Sequence, residues 1–157
     1  MDADALNAIS TDPEVLQRAA GPRLLTPHPG EMERLQPKAG RSRRAWALSF
    51  SDAHPVTLLL KGARTIIAER GHPLSFNSTG NPGMGSGGMG DVLTGVCSAL
   101  IGAGHSPRAA AILGAWLCGR AEEISVFESG YSQESLSASA VIAGLGGASR
   151  SLRNGDF

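Results

Sequence analysis

Residues 77–96 read NSTGNPGMGSGGMGDVLTGV, a glycine-rich stretch that runs into an apolar helical pattern with an acid, Asp91, at the junction. Glycine lets a backbone take positive φ and come close to a ligand. The first amides of a helix lack internal partners and point at whatever negative group docks there. A carboxylate beside such a cradle costs electrostatic energy unless it takes a proton from a substrate or works through a cation. The combination points to phosphoryl-type chemistry more than to simple binding. The plainer role for Asp91 is as an acid that favours the start of its own helix.

Other glycine motifs share letters with this stretch and fail on context. Gly85, Gly87 and Gly90 satisfy G-x-G-x-x-G. A dinucleotide site, however, puts the first glycine directly after a strand and an acid about 20 residues further on, where this chain has only alanine. Val92 extends the letters to a protein-kinase loop, but no catalytic-loop or D-F-G pattern follows. The phosphate loop G-x-x-x-x-G-K-[ST] fails for want of its lysine. A second chemical group is Lys61, which closes the apolar run VTLLLK at the end of an expected strand, the place where open α/β sheets put ligands. His54, His72 and His105 read as structural or exposed.

The elements that must position these groups alternate. Residues 23–26 form a short strand leading into a turn at 27–30, and a helix starts over 31–35. Residues 41–53 are helical, with Trp46 and Phe50 four apart on one face. The run at 56–61 is continuously apolar, as a strand buried on both sides should be. Residues 65–69 and 73–77 pair as a hairpin around Arg70, Gly71 and His72, an antiparallel interruption of the α/β alternation. A helix over 91–103 carries an apolar stripe of Val92, Leu93, Val96, Cys97, Leu100 and Ile101. Ser106 and Pro107 make a cap and first-turn pair for the next helix, which runs toward Glu128. A last helical stretch near 139–152 carries Gly144, Gly146 and Gly147, each costing about 1 kcal/mol against alanine, so poor order is expected there.

A chain of 157 residues with 41% hydrophobic content suits one domain with a real core. Its 14 basic and 14 acidic residues cancel, which removes any electrostatic reason to expect nucleic acid or an anionic membrane as partner. No apolar run approaches the roughly 20 residues of a membrane span, and no secretory layout opens the chain, so a cytoplasmic location is expected. Cys97 and Cys118 lie in apolar helical stretches without metal-like spacing and read as buried thiols.

Four blocks, in order, carry a family resemblance: DADALN at 2–7, LTPHPGEMERL at 25–35, LLKGARTIIA at 59–68 and the glycine loop with its Gly-Gly-Met-Gly-Asp core. Together they resemble the ADP- or ATP-dependent NAD(P)H-hydrate dehydratases, a branch of the ribokinase-like superfamily, up to about Gly119. The resemblance implies an α/β, ribokinase-like three-layer sandwich, with residues 1–157 as a single partial domain lacking its N-terminal part. It implies a lyase that uses ADP, or ATP, to dehydrate NAD(P)H hydrate, with Mg²⁺ as cofactor. Asp91 is then the catalytic base, in contact with the substrate, and Gly88, Met89 and Gly90 form the anion hole.

By the same resemblance His28 touches the hydrated nicotinamide nucleotide and Glu31 supports Mg²⁺ through water. Nucleotide contacts fall on Lys61, Gly62, Ala63, Arg64, Thr65 and Gly90, with Arg64 standing where glycine is commoner. The family leaves room for a homo-oligomer and for an epimerase domain or partner. In DADALN the acids would end a central strand, with one near the active site. Two further functions fit the same blocks: a ribokinase-like small-molecule kinase, or an inactive nucleotide-binding fragment.

Overall fold

The computed structural model describes residues 1–18 and 20–156. Its sheet has four strands in sequence order: β1 (Leu24–Leu25), β2 (Thr57–Leu60), β3 (Ile66–Glu69) and β4 (Ser75–Phe76). β1 and β2 pair in parallel, with Leu24 opposite Thr57, whereas β2–β3 and β3–β4 are antiparallel. The expected hairpin is therefore present, shorter by one residue in its first strand and by three in its second. Met1 adds one further rung to β1: its amino group donates to the Leu24 carbonyl at 2.7 Å and its carbonyl accepts from the Thr26 amide at 3.1 Å.

All four residues of β2 are buried, and the two-residue period of a strand sends them to opposite faces. Leu58 and Leu60, with Leu25, Ile66 and Ala68, pack toward α1 (Ala3–Ile9), α2 (Pro29–Leu35) and α3 (Arg43–Ala53). That core is closed by Leu6, Met32, Leu35, Trp46 and Phe50, so the Trp46–Phe50 face expected from sequence points inward. Leu59, with Leu24 and Ile67, packs on the other face against α4 (Met89–Gly102) and α5 (Pro107–Glu128). Helix, sheet and helix thus form three layers. α6 (Ala138–Asn154) lies outside them against α5.

Several boundaries move for local reasons. α2 begins at Pro29, whose fixed φ suits a first helical position, and not after the turn. α4 begins two residues before Asp91, because Gly88 takes φ +83° and turns the chain into the helix there. Asp2, the first acid of DADALN, directly follows the Met1 rung beside β1 and is the N-cap of α1, and Asp4 lies in the first turn of that helix. α6 is well formed despite its glycines. A Cβ placed on Gly144 would sit 2.5 Å from the Ala121 carbonyl oxygen, and one on Gly147 3.0 Å from Ile124. Close approach to α5 outweighs helix propensity at these positions.

Candidate functional site

One cavity of about 590 Å³ opens between the β2–β3 connection, the loop before α4, and α4 with α5. That volume is in the range of small-molecule sites. Lys61, Gly62, Ala63, Arg64 and Thr65 line one wall, and Asn77 through Gly85 supply most of the other. Met89, Gly90 and Leu93 of α4 and Ala115 and Cys118 of α5 complete it. Every residue expected to contact nucleotide therefore borders one space.

The two walls are held differently. Residues 77–85 lean on α5: the Asn77 side-chain amide donates to the Ala115 carbonyl at 3.2 Å, the Thr79 hydroxyl to the Trp116 carbonyl at 3.0 Å, and the Gly80 amide to a Glu123 carboxylate oxygen at 2.8 Å. Residues 61–65 lean on α3 through Arg43, whose guanidinium donates to the carbonyls of Leu60, Lys61 and Ala63 at 3.3, 3.1 and 2.6 Å.

Lys61 joins the cavity to a second group of residues behind it. Its ammonium lies 2.8 Å from Asp2 Oδ1 and 3.7 Å from Glu31 Oε2, while the Thr94 hydroxyl donates to Asp2 Oδ2 at 3.0 Å. Gly90 abuts this group: a Cβ there would lie 3.3 Å from Lys61 Nζ and 3.4 Å from Asp2 Oδ2. Burial pushes the Asp2 carboxyl up, but the hydrogen bonds and charge of Lys61, with the Thr94 hydroxyl, hold it below the ordinary carboxylate value.

Asp91 lies in the first turn of α4, exposed, outside the cavity lining and without a hydrogen bond or ion pair among the described residues. Gly88, the N-cap, is also outside the lining. His28 and Glu31 sit apart from the cavity and make a capping box on α2. The His28 ring Nδ1 accepts from the Gly30 and Glu31 amides at 3.0 and 3.2 Å, and Glu31 Oε2 accepts from the His28 amide at 2.7 Å. With Nδ1 engaged by the two amides, Nε2 of the half-exposed ring, 3.6 Å from Glu31 Oε1, is the edge left to a ligand.

Among the described residues no three His, Cys, Asp or Glu side chains converge to hold a metal ion. Glu31 is already committed to its helix cap and to Lys61. Cys97 and Cys118 are buried free thiols, pushed up to about 11 and about 12 by desolvation, which leaves them unreactive near neutral pH. His54, buried against the Phe50 ring, is held below the usual imidazole value by desolvation. Among the described residues no helix is long and apolar enough to cross a membrane.

The three-layer arrangement, with its cavity at the carboxyl end of β2 beside a glycine-capped helix, defines a ribokinase-like α/β domain. A ribokinase-like superfamily protein from Enterococcus faecalis V583 shares that fold, at a TM-score of 0.69 and 24% identity over 95% of this chain and 51% of its own. A model of the NAD(P)H-hydrate dehydratase family matches residues 1–143, and the chain belongs to that family. It is 50% identical to a bifunctional NAD(P)H-hydrate repair enzyme of Moorella thermoacetica, over 77% of this chain and 24% of that one. It is 35% identical to an ADP-dependent (S)-NAD(P)H-hydrate dehydratase of Neisseria meningitidis serogroup B, over 98% and 52% respectively. An ADP/ATP-dependent NAD(P)H-hydrate dehydratase of Bacillus subtilis, co-crystallised with ATP/Mg²⁺, superposes at a TM-score of 0.75 with 28% identity, over 83% of this chain and 48% of that one. The chain thus spans about half the length, or less, of these relatives.

Sequence reasoning expected one acid of DADALN near the active site, and Asp2 is the one that meets Lys61; it missed Thr94, Arg43 and Glu123. Asp2 carried a signal, since it opens the first family block. Arg43 and Glu123 carried none, because each acts on backbone that is remote in sequence.

Proposed function

We propose that this chain supplies the nucleotide-binding and catalytic portion of a nucleotide-dependent (S)-NAD(P)H-hydrate dehydratase, with ADP the favoured co-substrate. One observation carries the reading: the Lys61 ammonium, the start of α4 and the cavity meet at Gly90. The first-turn amides of Met89, Gly90 and Asp91 have no intrahelical acceptor and donate to no other acceptor among the described residues. A transferring phosphoryl group placed there meets a positive charge and preorganised donors, while the apolar side chains of Met84, Leu93 and Ala115 suit a base.

In the proposed chemistry Asp91 accepts the proton of the C6 hydroxyl as its oxygen bonds to the terminal phosphorus of ADP, and the bond to AMP breaks. The C6–O bond then breaks with its electron pair on the departing phosphate, and the C5 proton passes to water as the C5–H electron pair restores the double bond of NAD(P)H. His28 Nε2 is the proposed edge toward the hydrated nicotinamide. Mg²⁺, when bound, would neutralise phosphate charge, and Glu31 would reach it only through water.

The test incubates the 157-residue chain with NADH hydrate, Mg²⁺ and ADP or ATP, and follows the return of reduced-nicotinamide absorbance. Asp91→Asn is expected to lower turnover by about 10²- to 10⁴-fold while ADP affinity, read by calorimetry, stays within about threefold. A near-native rate in Asp91→Asn would sink the base assignment. A stable phosphorylated product would favour a kinase instead. ADP binding with no turnover by the wild type would favour an inactive nucleotide-binding fragment.

A further inference from the structure

The segment 61–65 is unusually lopsided in its hydrogen bonds. Nearly all its carbonyls accept from the protein: Lys61 and Ala63 from Arg43, Gly62 from the Thr65 hydroxyl at 3.2 Å, and Thr65 from the Asn77 amide at 2.9 Å. The Leu60 carbonyl just before it also accepts from Arg43. The amides tell the opposite story. Lys61 donates to the Pro27 carbonyl at 2.8 Å, but among the described residues the amides of Gly62, Ala63, Arg64 and Thr65 donate to no protein acceptor. Residues 62–64 are exposed, so these amides face the solvent of the cavity mouth and are free to donate to a ligand that displaces it.

The same segment is strained. Gly62 takes φ +133° and Arg64 takes φ +54°, a left-handed value that costs a non-glycine residue energy. Such a conformation persists only where its surroundings over-determine it. Arg43 is the side chain that does so, with three carbonyls on one planar guanidinium and its Nε buried without a partner. A Cβ on Gly62 would lie 3.0 Å from Arg43 Nη2, so the guanidinium lies directly against the loop. Arg43 itself is not part of the cavity wall.

We infer that Arg43 is a positioning residue for phosphate binding, and the inference rests on the nucleotide reading above. In a trans peptide the carbonyl and the following amide point to opposite sides. Drawing the Lys61 and Ala63 carbonyls back onto α3 therefore turns the amides of Gly62 and Arg64 away from the guanidinium. The result is a concave run of donors, a form of anion nest, opposite the start of α4. The polyphosphate of the nucleotide is its ligand, held between the two sets of amides with Lys61 at the junction. Lysine in place of Arg43 keeps the charge but lacks the planar fork that reaches three carbonyls at once.

The test uses the full chain with Arg43→Lys and Arg43→Ala. At a fixed nucleotide concentration, the protection that ADP gives the amides of residues 62–65 against hydrogen exchange should fall by about tenfold in both variants, while α5 stays protected. ADP affinity by calorimetry should fall by about 10- to 100-fold, the scale expected when positioned groups shift by an ångström. Millimolar ethylguanidinium should restore much of the loss in Arg43→Ala, a rescue that a general packing defect would not show. If Arg43→Ala is too unstable to study, Arg43→Lys decides. Wild-type ADP affinity in a folded variant would overturn the inference and leave the nucleotide reading standing. Failure of the wild-type chain to bind ADP would instead remove the nucleotide reading and the positioning role together, whatever the exchange over 61–65 showed.

Discussion

The two walls of the cavity reach similar order by opposite means. Residues 77–85 are fastened to α5 by three separate bonds, from Asn77, Thr79 and Gly80, and by backbone pressed against Gly119. Residues 61–65 are fastened to α3 by one guanidinium acting on three carbonyls, and they hold two residues at positive φ. The first wall spreads its restraint, so losing one bond leaves the others. The second concentrates its hold on α3 in one side chain, while the Lys61 amide on the Pro27 carbonyl and the Thr65 carbonyl on the Asn77 amide fix its two ends. The difference fits the chemistry proposed for each: the 61–65 wall must expose amides to a charged group, and a remote clamp on the carbonyls does this without occupying the site.

The spread wall should yield to added volume and not to lost bonds. A Cβ on Gly119 would sit 2.7 Å from the Thr79 carbonyl carbon, a backbone atom that cannot swing aside as a side chain would. Gly119→Ala is therefore expected to cost about 1–3 kcal/mol. It should show as a lower urea midpoint, with weaker ADP binding as residues 77–85 lift off α5. Gly85→Ala is the control on the same wall, because a Cβ there meets nothing within 4 Å. Equal stability of the two variants would mean that the contact between α5 and the loop is softer than it looks.

Much of this arrangement was legible in the chain. The apolar run ending at Lys61 named the central strand, and the glycine stretch placed its own helix, because burial on both sides and free φ leave direct marks in composition. The parts that were not legible depend on contacts distant in sequence. Arg43 is one of 14 basic residues and nothing local sets it apart from a solvated arginine. His28 was read through the family as a substrate contact. Its imidazole also caps α2, a role usually filled by Ser, Thr, Asp or Asn and so without a familiar sequence signature. In α6, propensity argued against order, and the glycines proved to be what admits α5 to close packing. Local preference was overruled by fit, which only the assembled fold displays.

A buried acid sharpens the comparison at the spread wall. Glu122 is fully buried beside Asn81, and among the described residues neither its carboxylate oxygens nor Asn81 Nδ2 reaches a hydrogen-bond partner at full hydrogen-bond geometry. Burial pushes its carboxyl up, partly offset by the facing Asn81 amide and side chain, while Glu123 adds a like charge. A folded-state value above the unfolded 4.5 means that the unfolded chain ionises first as pH rises. This group therefore lowers stability between the two values and at every higher pH, and has no such effect below both. Glu122→Gln removes the titration. It should stabilise the protein by about 1 kcal/mol near pH 7, with the gain vanishing near pH 4. Denaturation at the two pH values checks it, and a gain independent of pH would show that packing, not charge, is at stake.

The smallest expected effect separates strain from contact at the concentrated wall. Arg64 is exposed and holds φ +54° without an ion pair, so its side chain can matter in two ways: as a cation beside phosphate, or as a Cβ that the backbone tolerates at a cost. Left-handed backbone costs an L-residue about 1–2 kcal/mol, whereas glycine loses about 0.5–1 kcal/mol through the freedom of the unfolded chain. Arg64→Gly should therefore stabilise by at most about 1 kcal/mol, a shift of a few degrees in Tm. With Arg43 still clamping the carbonyls, the amides of residues 62–65 should stay in place and ADP affinity should change by less than about threefold. A loss of about tenfold or more would make Arg64 a phosphate contact in its own right, since relief of strain cannot weaken a site whose backbone is held from behind. A stability gain with unchanged affinity would instead assign the anion grip of this wall to backbone amides, with Arg43 as the residue that aims them.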